Sequence, residues 1–143
     1  MRLPKAIFPA ILTLVFTAMP VIADVVVVVS SKSTITILSK SQIADIFLGK
    51  TARFPDGSPA VPVDQSEGTL ARDGFYSAFT GESAAQLKAH WSKIIFTGRG
   101  QPPKAVPNSL ALKTLVAENP AAIGYIEATF VDETLRVVKV IGQ

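Results

Sequence analysis

Residues Asp24 to Ser30, "DVVVVVS", constrain the fold more than any other stretch of the chain. Consecutive β-branched residues favour an extended backbone. A strand with one wet face alternates apolar and polar side chains, and this one does not. A run of this kind has to be covered on both faces, which predicts a central strand between layers of helix and, by the usual association, parallel neighbours. Ser30-Ser31-Lys32-Ser33 then closes the strand in a polar loop.

Helical and extended patterns follow in alternation. "TITIL", Thr34 to Leu38, reads as a short extended piece. In "SKSQIADIFLGK", Ser39 and Gln42 have the spacing of a capping box. Ile43, Ile46 and Phe47 share one face, and Gly49 supplies a left-handed stop. Pro55-Asp56-Gly57 is a turn signal, and "AVPV", Ala60 to Val63, reads as a short strand whose Pro62 belongs at an edge or a strand end. Two helices come next. The first carries Ala71, Phe75 and Phe79 on its apolar side, with Arg72, Asp73 and Ser77 opposite. The second, Ser83 to Phe96, has a stripe of Ala84, Leu87, Trp91, Ile94 and Ile95. "TGRGQPPKAVP" is a loop by composition. Asn108 or Ser109 caps a further helix that stops at Asn119-Pro120. "AAIGYIEATFV" and "LRVVKVIG" read as closing strands. The expected fold is an α/β one: a single open sheet with flanking helices, without internal repeat or linker.

The first 23 residues stand outside that pattern. Arg2 and Lys5, an apolar run from Ile7 to Phe16, and Val21 and Ala23 at the −3 and −1 positions make a secretory signal peptide, with cleavage expected after Ala23. The run is shorter than the roughly 20 residues a membrane span requires. The expected mature domain is 24–143, exported to the periplasm. Losing Arg2 and Lys5 lowers the formal net charge from +3 to +1. No basic run or aromatic–basic interleaving suggests nucleic acid. One histidine and no cysteine make a metal site, or a disulfide frame, a poor expectation. No cofactor is implied.

In open α/β sheets, ligands bind beyond the carboxyl ends of strands, near helix starts. Two places fit: Ser30-Ser31, and the turn Asp64 to Thr69. At the second, Gly68 permits close approach to the backbone, Ser66 and Thr69 offer hydroxyls, and Arg72 lies one turn into the helix. Glu67 in the same turn opposes an anion if it points inward. The competing account is that Thr69 or Ser66 merely caps the helix. His90 and Trp91 read as structural residues. Arg99 to Lys104 is a connector or a partner-binding loop. The single histidine has no evident nucleophile beside it, so no catalytic triad is expected and the chain is not read as an enzyme.

Four phrases taken together, "ADIFLGKTARFPDG", "EGTLARDGFYSAF", "WSKIIFTGRGQPPK" and "NPAAIGYIE", resemble the phosphate-binding-protein family of ABC importers, above all its short single-domain periplasmic members. The likeness spans most of residues 41–127. It implies a type II periplasmic-binding-protein fold, of which this chain matches one lobe, the one inserted in the middle of full-length members. That lobe's phosphate turn has the form Arg-x-x-Gly-Ser-Gly-Thr. Gly68 and Thr69 match its end. Glu67 stands at the serine, Ser66 at the earlier glycine and Val63 at the arginine. The resemblance implies binding of inorganic phosphate or a similar oxyanion in ABC-type uptake or sensing. Candidate partners are an ABC permease, a second copy of the chain or another envelope protein. The departures at Glu67 and Val63 leave open a different role, a non-catalytic envelope interaction module that has lost its ligand.

Overall fold

The computed structural model describes residues 2–6, 13–15, 17 and 24–142. The expected cleavage point after Ala23, and most of the leader's apolar run, lie outside these. The valine run forms β1 (Val25–Ser30), the fourth of five strands in a sheet of order β4-β3-β5-β1-β6. The others are β3 (Val61–Gln65), β4 (Lys104–Val106), β5 (Ala122–Glu127) and β6 (Leu135–Val137). A small parallel pair, β2 (Ile37–Ser39) and β7 (Lys139–Ile141), sits apart. The helices are α1 (Lys40–Phe47), α2 (Leu70–Thr80), α3 (Ala84–Phe96) and α4 (Ser109–Glu118).

The expectation of burial on both faces holds, and Val28 and Val29 are fully buried. The expectation of parallel neighbours does not. β1 runs antiparallel to both β5 and β6, whereas β3 is parallel to β4 and β5. An unbroken apolar run reports what covers a strand, not which way its neighbours run. Val27 and Val29 face a core that also takes in Phe47, Phe75, Leu87 and Trp91 from α1, α2 and α3, while Val28 faces Leu112 and Val116 of α4. Among the described residues, the buried core runs from Val27 to Val138.

Local signals positioned the helices. Ser39 and Gln42 make the reciprocal capping box of α1, and Ser83 and Gln86 make a second one on α3. Asn108, rather than Ser109, caps α4. Gly49 has φ 75° just past α1, and a Cβ there would lie 2.7 Å from the Trp91 ring, so the left-handed stop doubles as the seat of α3's tryptophan. His90 Nε2 lies 3.0 Å from the Leu48 carbonyl, which ties α3 to the end of α1. Pro62 lies in β3 before the β4 ladder begins at Val63, where no neighbour requires its missing N–H.

Three expectations need correction. The "AVPV" strand extends through Asp64 and Gln65, which are buried and are not turn residues. The "LRVVKVIG" segment breaks at Val138 into strands of two different sheets. On α3, Ala84 and Ile95 are exposed although they fall on the apolar stripe, because α3 packs on the domain only through the Leu87–Trp91 side.

Candidate functional site

The carboxyl ends of the parallel strands β3, β4 and β5 meet at one edge of the sheet, and α2 and α4 both begin there. Each helix presents amides without intrahelical partners and the positive end of its dipole. An open groove of about 340 Å³ runs along this edge, lined by Gln65, Thr69, Leu70, Ser109, Leu110 and Phe130. Glu127, at the end of β5, also borders it.

The Ser66–Thr69 turn is built from internal hydrogen bonds. The Ser66 amide donates to the Val106 carbonyl at 2.9 Å, and its hydroxyl donates to the same oxygen at 3.3 Å. The Thr69 hydroxyl donates to the Ser66 carbonyl and accepts from the Arg72 amide at 3.3 Å as the α2 cap. Gly68 takes φ 91°, and a Cβ there would meet nothing within 4 Å, so its requirement for glycine is one of backbone conformation alone. The hydroxyl hydrogens of Ser66 and Thr69 are therefore committed, against the expectation that they serve as free donors. Among the described residues, the amides of Glu67, Gly68, Leu70 and Ala71 have no hydrogen-bond partner. Glu67 itself is exposed.

Arg72 does not curl toward the turn. Its Nε lies 3.5 Å from Asp64 Oδ2, and its guanidinium carbon sits 5.4 Å from the centre of the Tyr76 ring. Asp64 is the hub of a buried polar cluster. It accepts from the Tyr76 hydroxyl at 2.7 Å, from the Tyr125 hydroxyl, and from the Gln65 amide at 2.8 Å. Gln65 Nε2 extends the cluster by donating to Ser109 Oγ at 2.9 Å and to the Tyr125 carbonyl at 3.0 Å, which joins β3, β5 and the start of α4. Burial pushes both phenols well above the ordinary tyrosine range, and the Asp64 charge adds to the effect. Phe75 stacks on Tyr125 with ring centres 4.1 Å apart, closing the cluster from below. No local pattern signals this cluster, because Asp64 and Tyr125 meet across 61 positions of chain.

Ser30 and Ser31 belong elsewhere. Because β1 opposes β5, its carboxyl end lies beside Ile123, at the far edge of the sheet, about 16 Å from Gln65 at the usual strand rise. Ser30 is buried and its hydroxyl donates to the Ala117 carbonyl at 3.0 Å, holding the end of α4. Ser31 is exposed, its amide bonds the Thr134 carbonyl, and its own carbonyl receives Arg136. The two serines cannot share a ligand with the Ser66–Thr69 turn. Among the described residues no group of three metal-ligating side chains occurs, and no helix is long and apolar enough to cross a membrane.

A mixed sheet with helices on both faces and two helix starts on one edge has the architecture of a periplasmic-binding-protein lobe, and solved structures share it. The chain superposes with TM-score 0.65 and 26% identity on a protein assigned to phosphate ABC transport as a substrate-binding protein, with phosphate bound, from Clostridium perfringens. It does so with 0.65 and 19% on an ABC-type phosphate transport receptor from Vibrio cholerae, and with 0.64 and 11% on PstS from Borrelia burgdorferi. These matches cover 82%, 82% and 85% of this chain but 45%, 46% and 48% of the others, so it spans less than half of each. At the two lower identities the likeness is one of fold. No protein-family model matches the chain, and no curated protein matches it in sequence.

Proposed function

We propose that this chain is a periplasmic solute-receptor lobe, not an enzyme, that holds phosphate or a similar oxyanion at the start of α2 in ABC-type uptake or sensing. The observation that carries the reading is the set of free amides at Glu67, Gly68, Leu70 and Ala71, at the positive end of an 11-residue helix. Backbone amides at such a place bind tetrahedral anions through partial charge and directed N–H groups. The phosphate bound in the Clostridium perfringens protein supports the choice of anion. Gly68 allows the close approach. Ser66 and Thr69 shape the turn, and Arg72 adds long-range positive charge tempered by Asp64. Binding is weak in the isolated lobe, because one open edge leaves most of a ligand in water and Glu67 repels it. A second copy of the chain would supply a facing half.

A second reading is favoured by Arg72, which is already neutralised by Asp64, and by exposed Leu70 and Leu110 on the same edge. On that account the edge docks another envelope protein, such as an ABC permease, and holds no solute. Calorimetry on residues 24–143 separates the two. Saturable heat with millimolar phosphate supports solute binding. Silence toward phosphate, with a stoichiometric partner recovered from periplasm, supports docking and overturns the first reading. Sedimentation with and without phosphate reports whether two copies close on the anion.

A further inference from the structure

The end of α3 is an apolar knob within a cation-rich stretch, and we propose that it seats the domain on an anionic lipid surface. Phe96, in the last turn of α3, is 92% exposed and its neighbour Ile95 is 52% exposed. The chain does not fold back over them, and Thr97 through Gln101 are all exposed. Scattered exposed aliphatics are ordinary on a protein surface, but an almost wholly bare phenylalanine adjoining a second bulky apolar residue is a candidate contact.

The charge around the knob favours a polyanionic surface. Between Glu82 and Glu118 there is no acidic residue, and Lys88, Lys93, Arg99 and Lys104 fall from α3 through β4. All four are exposed. Residues 24–143 carry a net charge of +1, so with +4 on residues 84–106 the remainder carries −3. Lys93 lies one turn before Phe96, and Arg99 follows it by three positions. Lys88 lies on the side of Ile95, where a shallow groove of about 220 Å³ is also lined by Trp91 and Pro102. Glu67 is the one carboxylate bordering that groove.

The shape selects the bilayer over an acidic protein. Phe96 is bare and the chain that follows it stays exposed to Gln101, so the apolar tip is open to a broad surface, and long cationic side chains near it can snorkel outward. A membrane interface offers the matching order of layers, anionic headgroups first and hydrocarbon beneath. A single phenylalanine and four cations give reversible, salt-sensitive attachment.

Vesicle flotation of residues 24–143 tests the proposal. The protein is expected to float with phosphatidylglycerol vesicles, to remain behind with phosphatidylcholine, and to be released by salt. Phe96→Ser should weaken partitioning about tenfold, Phe96→Trp should restore it, and Lys93→Glu with Arg99→Glu should abolish the preference for anionic lipid. These side chains are exposed, so the variants should melt like the parent. Absence of flotation, equal flotation with neutral vesicles, or indifference to Phe96→Ser would overturn it. A photoreactive phenylalanine at position 96, irradiated in the cell envelope, should capture lipid. Capture of a protein or of a second copy would replace the bilayer with that partner.

Discussion

Asp64 decides how charge is arranged near the candidate site. Its carboxylate takes hydrogen bonds from Tyr76 and Tyr125 and pairs with Arg72, so the arginine nearest the α2 start is spent on the fold. These are the only two tyrosines in the chain, which makes tyrosinate absorbance a clean reporter. Both phenols have folded values raised above the ordinary 10.0. Stability from keeping them neutral is present below that value and is lost as pH rises past it, because the unfolded chain releases the protons first. Tyrosinate should therefore appear only together with loss of tertiary structure in an alkaline titration; ionisation near pH 10 in the folded protein would contradict the burial. Tyr76→Phe should cost about 1–3 kcal/mol in denaturant unfolding, because it strips a buried carboxylate oxygen of its donor. At the turn, Glu67→Gln removes a like charge from the amides and should tighten phosphate binding by up to about tenfold, read by calorimetry.

At the scale of elements, caps and packing set the frame. Ser39→Ala and Ser83→Ala each remove the side-chain half of a capping box, and each should cost about 1 kcal/mol in thermal unfolding. α4 is tied to the loop before β6 by Lys113, whose Nζ lies 2.5 Å from Asp132 Oδ2. The hydrogen bond from Lys113, then that from Thr134, lowers the Asp132 carboxyl to about 2. Its contribution is present above the unfolded value of 3.8 and disappears as pH falls through about 2. Melting curves of the parent and Asp132→Asn should differ at neutral pH and converge in acid. The Ser39 capping box was legible in the sequence because it depends on a neighbour three positions away. The direction of β1, the burial of Asp64 and Gln65, and the bare flank of α3 were not. Each is fixed by partners dozens of residues away, and no local period records them. For the same reason Ser30 looked like a site residue. The rule that points to strand ends works only once the strand's direction is known.

At the scale of the molecule, the described residues form one α/β lobe that covers less than half of each receptor it superposes on. Its edge offers four free amides and an open groove, the geometry on which the proposed weak capture of an oxyanion depends. The most direct test follows the backbone amides of residues 24–143 by NMR while phosphate is added. Saturable shifts should peak at Glu67, Gly68, Leu70 and Ala71, with Ser30 and Ser31 unmoved. Shifts absent at millimolar phosphate, or centred away from the start of α2, would contradict it.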